Sequence, residues 1–73
     1  MSVLLQNIKT AKYVEHSAGW TERRERAKKF TGATEALFYC CNHELWDMKI
    51  LGRFRDPKKN FSIPLTELGW DAN

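Results

Sequence analysis

Apolar and polar residues alternate most cleanly in the second half of the chain. Met48, Ile50, Gly52 and Phe54 fall on one side of an extended segment and Lys49, Leu51, Arg53 and Arg55 on the other. That two-residue period predicts a strand with one face inward. The following Asp56-Pro57-Lys58-Lys59-Asn60 predicts a hairpin loop, because proline presets φ at the second position of a type I turn. Phe61, Ile63 and Leu65 continue the inward face on the return strand. Pro64 points the other way and cannot donate to a ladder, which places this strand at an edge.

The first half is less regular. Residues 3–16 are rich in Val, Leu, Ile, Thr and Tyr, with the alternation broken near 7–10, so two short strands or one bent strand are expected. Ser17-Ala18-Gly19 is turn chemistry, and Trp20 just beyond it is expected to fold back over the sheet into the core. Thr21 can cap a short helix or turn over 22–29, with Glu22–Arg26 and Glu25–Lys29 as acid-before-base pairs four residues apart. The apolar side of that helix, formed by Trp20, Ala27 and Phe30, is thin. Thr31-Gly32 breaks the chain and can cap a longer helix over 33–43, with Asn42 as a terminator. Ala33, Leu37, Cys40 and Cys41 form its expected core stripe.

The order β-β-α-β-β predicts an α+β domain: a small antiparallel sheet of about four short strands with one main helix on one face. No repeat, linker or low-complexity tract interrupts the chain, so residues 1–73 are expected to form a single domain.

A chain of 73 residues buries only about 60% of its unfolded surface, which invites a supplement to the core. A disulfide is not the expected one, since neighbouring helical cysteines such as Cys40 and Cys41 cannot bring their Cβ atoms together. Two free thiols point to a reducing compartment. The longest apolar run, 37–41, falls far short of the ~20 residues that span a bilayer, and the first residues lack a signal-peptide pattern. A cytoplasmic protein without membrane contact is expected.

Charge adds one local feature. The net +3 resides in 22–29, where five bases accompany two acids and the remaining segments cancel. Arg23, Arg24, Arg26, Lys28 and Lys29 are therefore candidates for nucleic-acid contact through phosphates. Arg53, Arg55, Lys58 and Lys59 would extend the patch if the hairpin tip lay beside the first helix. Against this, two glutamates paired within a helix would leave only a solvated mixed face, and no base-stacking motif of RNA-binding sheets is present.

Other chemistry finds no complete motif. Cys40, Cys41, His43 and His16 suffice in number for zinc, but consecutive helical cysteines diverge by about 100°, whereas structural zinc pairs sit two to four residues apart. Cys40 with His43 lacks a group to orient the imidazole, and Cys40 lies on the core stripe. Glu35, Glu44, Asp47, Glu67 and Asp71 accompany no Gly-rich loop or evident pocket. No catalytic residue, metal or cofactor is expected.

The surplus is aromatic: three Trp, two Tyr and four Phe exceed what one helix over a small sheet encloses. Phe38 and Tyr39 project off the expected stripe, Trp46 lies in a loop and Trp70 in the tail. These four form the expected interaction surface, enriched in the residue types of interface cores. The sequence thus favours a non-catalytic module that self-associates or binds a protein, with nucleic-acid binding through 22–29 as the alternative.

Overall fold

The structure, a computed structural model, describes residues 2–17 and 19–69. Five strands, β1 (Ser2–Asn7), β2 (Tyr13–Val14), β3 (Trp20–Thr21), β4 (Met48–Arg53) and β5 (Phe61–Pro64), form one antiparallel sheet in the order β3-β2-β1-β4-β5. One helix, α1 (Ala33–Asn42), packs on β1 and β4. The class is the expected α+β, with one strand more than expected because Trp20–Thr21 adds to β2. No helix among the described residues is long and apolar enough to cross a membrane.

β1 lies at the centre of the sheet, paired along its whole length with β4 from Ser2↔Arg53 to Asn7↔Met48. Val3 and Leu5 face α1 and join Val14, Phe30, Ala36, Cys40, Met48, Ile50 and Leu65 in the main core. Leu4 faces the other way, into a second small core with Tyr13, Ala27 and Leu51. A strand buried on both faces has no reason to alternate, which is why 3–5 reads as a continuous apolar run. Asn7 ends the strand: its Oδ1 accepts from the amides of Lys9 (2.8 Å) and Thr10 (2.9 Å). This side-chain turn lets Ala11 take a left-handed φ of 61°.

Of the short helix or turn expected over 22–29, the structure forms the turn, a single 3₁₀ turn at Arg24–Arg26. Its end is taken by the sheet. Lys28 N–H donates to Val14 O and Phe30 N–H to Val3 O, both at 2.8 Å, so 27–30 is extended backbone bonded to β2 and β1. Ala27 packs in the second core and Phe30 in the main one, because side chains of an extended segment point alternately to the two faces.

α1 is rotated from the expected stripe. Ala36 and Cys40 are fully buried, Leu37 and Tyr39 are half-buried against the main core, and Ala33 and Cys41 are exposed. Two small side chains four residues apart let the helix approach the sheet closely, with Leu37 and Tyr39 filling the flanks. At the start, the Glu35 carboxylate accepts from both the amide and the hydroxyl of Thr31. These bonds hold the Glu35 carboxyl below its ordinary range, the side-chain bond contributing most. At the end, α1 stops at the expected Asn42, where Leu45 N–H donates to Cys40 O (2.9 Å) and Glu44 adopts φ 52° in a Schellman-type cap.

β4 follows its expected pattern, with Met48, Ile50 and Gly52 buried. Pro57–Lys59 is a 3₁₀ turn within the expected loop, and the Asp56 side chain accepts from Lys58 N–H at 3.0 Å. β5 is an edge strand, as Pro64 requires. Gly52 lies directly across from Phe61, whose ring covers it: a Cβ at Gly52 would stand 2.0 Å from the ring. Gly52→Ala must therefore drive Phe61 out of its place beside the main core. The expected loss is about 1–3 kcal/mol in urea unfolding, as in other overpacked sites. An unchanged midpoint would show that Phe61 does not need this space.

Candidate functional site

The register assigns each strand residue to a face. Leu4, Gln6, Lys49, Leu51, Arg53 and Ser62 lie on the face away from α1, with Tyr13 and Thr21 beyond them. The strands place two bases and no acid on this face. The opposite side is covered by α1 and its flanks, where residues 31–47 carry Glu35, Glu44 and Asp47 and neither Lys nor Arg. The sheet thus separates charge.

The basic octapeptide lies over the end of this same face. Arg24 Nε donates to Tyr13 Oη over a long 3.4 Å, which fixes the 3₁₀ turn above the second core. As a result Arg24 and Lys29 meet Arg53 and Arg55 in one open cleft of about 640 Å³, with Leu4 and Phe54 as its apolar part and Glu25 as its one acid. Arg23 and Arg26 turn to the other side, where they line a second concavity of about 460 Å³ with Lys12, Trp20 and one acid, Glu22. Lys28 leaves the group: its ammonium lies 5.6 Å from the Phe30 ring centre and 6.0 Å from that of Tyr39. Lys58 and Lys59 are exposed in the 57–59 turn and line neither concavity.

The expected Glu22–Arg26 and Glu25–Lys29 pairs do not form, because a single 3₁₀ turn does not bring residues four apart onto one face. Among the described residues the one ion pair joins Lys9 to Asp47, at 3.3 Å on the surface. The bases of both concavities therefore have no carboxylate within ion-pair distance among the described residues. This removes the main sequence argument for a self-neutralised face.

The aromatic surface expected from the sequence is divided. Phe38 projects outward from α1 and is 64% exposed, and Trp46, in the loop before β4, is 38% exposed. Tyr39 instead turns inward, edge-on to Phe30 at 5.3 Å and stacked on His43 at 4.1 Å. Trp70 lies outside the described residues. Trp20, expected in the core, is 44% exposed. It pairs with Val14 on the outermost strand, where only the end of α1 comes near, since the helix rests on β1 and β4.

The thiols differ sharply. Cys40 is fully buried in the main core, and this burial pushes its pKa up to about 11, so it is a neutral, apolar packing group. Cys41 is exposed on the same helix. Among the described residues no group of three His, Cys, Asp or Glu side chains is placed to hold a metal ion.

No family model, curated protein or solved structure matches the chain, so a functional reading rests on this geometry.

Two measurements check the thiol assignment. A thiol reagent at neutral pH should label Cys41 at once and Cys40 only on unfolding; rapid labelling of both would refute the burial. Above pH 9.0, the ordinary thiol value, the unfolded chain releases the Cys40 proton while the folded chain keeps it to about 11. Stability should therefore fall as pH rises through this window. Cys40→Ala should show a shallower fall than the parent.

Proposed function

We propose that this chain is a non-catalytic binding domain whose ligand is nucleic acid, held by its phosphates on the basic side of the sheet. One observation carries the reading: Arg24, Lys29, Arg53 and Arg55, drawn from two distant stretches of sequence, line one cleft and form no ion pair among the described residues. Guanidinium groups present forked donors suited to phosphate oxygens, and three of the four bases are arginine. Glu35, Glu44 and Asp47 lie on the helix side while Glu22 and Glu25 stand among the bases, so an approaching polyanion is drawn by the local excess of bases at the concavities.

Neutralising four phosphates gives a salt slope of about −3 to −4, a loss of about 50- to 150-fold in affinity between 50 and 200 mM salt. Fluorescence anisotropy with labelled oligonucleotides measures this directly. Arg53→Glu with Arg55→Glu should abolish binding at moderate salt, whereas Lys58→Glu with Lys59→Glu, outside the cleft, should weaken it far less. Absence of binding at 20 mM salt, or equal loss from both double variants, would sink the proposal.

The exposed Phe38 and Trp46 support a second reading, a surface for a protein partner or a second copy of the chain. Light scattering at high concentration separates it from the first. Association that disappears in Phe38→Ser would support it, and a monomer throughout would remove self-association.

A further inference from the structure

The concavity on the far side of the 3₁₀ turn differs from the first in containing a tryptophan. Trp20 is fixed by its strand pairing with Val14, so the ring's attachment is set by the sheet. It stands between two spaces: a small cavity of about 130 Å³ toward Val14, Tyr39, His43 and Leu45, and the open concavity shared with Lys12, Arg23, Arg26 and one acid, Glu22. Nearly half of its surface is open to solvent. Three bases that form no ion pair among the described residues thus outnumber one acid around an exposed indole on a short edge strand.

This is the combination that binds single strands. Cationic side chains follow the phosphates while an aromatic ring receives an unpaired base, a contact tolerant of sequence because every base has a π-face. A duplex keeps its bases stacked on each other and leaves such a ring unused. We infer that Trp20 is a base-stacking position and that the nucleic acid bound here is single-stranded. The inference rests on the nucleic-acid reading and adds a ligand form and a residue to it. Because Arg23 and Arg26 line one concavity and Arg24 and Lys29 the other, the strand crosses the 24–26 turn, with a base on Trp20 at one end and phosphates on Arg53 and Arg55 at the other.

The test uses the full chain carrying Trp46→Phe and Trp70→Phe, which leaves Trp20 as its one fluorophore of this kind. A twelve-residue oligothymidine should quench Trp20 fluorescence and bind at least about tenfold more tightly than a twelve-base-pair duplex. Trp20→Ala should lose about tenfold in affinity for the single strand with its salt slope unchanged, and Trp20→Phe should restore most of it. Where Trp20→Ala does not fold by circular dichroism, Trp20→Thr, a good strand former, takes its place. Salt-dependent binding without quenching, with equal affinity for duplex, or with no loss on removing the indole would overturn the stacking role and leave the phosphate cleft standing. Failure of both oligonucleotides to bind would overturn the nucleic-acid reading itself.

Discussion

Burial of β1 on both faces is the constraint on which the rest of this structure depends. Val3 and Leu5 anchor the main core, Leu4 anchors the second, and all three are almost wholly removed from solvent. Each such side chain contributes roughly 1.5–3 kcal/mol, a large share of the stability available to a domain of this size. The same strand fixes the sheet order, since β4 occupies one edge of it while Tyr13 and Phe30 bond or pair along the other. It also decides what each surface becomes. Once Leu4 calls for a cover on the side away from α1, the basic octapeptide is the segment that supplies it, through Ala27 and the turn held over Tyr13.

Local signals were legible where one residue type forces one conformation. Pro57 and Pro64 marked the turn and the edge strand, and the alternation from Met48 marked the buried face of β4. Sites where two arrangements bury similar area were not. Leu37 and Cys40 belong to both candidate stripes of α1, and only the sheet beneath selects Ala36 over Ala33. Of the helix or turn expected over 22–29, the helix lost to backbone bonds with β1 and β2, a competition between residues distant in sequence. Trp20 followed from that same topology, because a tryptophan near a turn is buried only if something lies above it.

The candidate site was half legible. The five bases of 22–29 were evident, as was the chance that Arg53 and Arg55 would join them, but the meeting depends on register and on the route of 24–30 across the sheet. The internal glutamates misled, because the pairing rule for residues four apart holds only on a helix. With a 3₁₀ turn instead, the arginines point alternately to two sides and stay free of carboxylates. The capture of this stretch by the sheet, against its own helix-forming residues, thus becomes part of its chemistry.

The pairing of 27–30 with two strands, with a side chain on each face of the sheet, has a dynamic consequence. Ala27 is held on one face and Phe30 on the other, with amide bonds to two different strands between them. Such a segment cannot lift off like an ordinary surface loop; releasing it opens both cores together. The amides of Lys28 and Phe30 should therefore exchange with solvent deuterons only through opening on the scale of the whole domain. Residues beside a ligand-binding surface are commonly among the first to open, and here the arginines would instead ride on one of the slowest-exchanging parts of the chain.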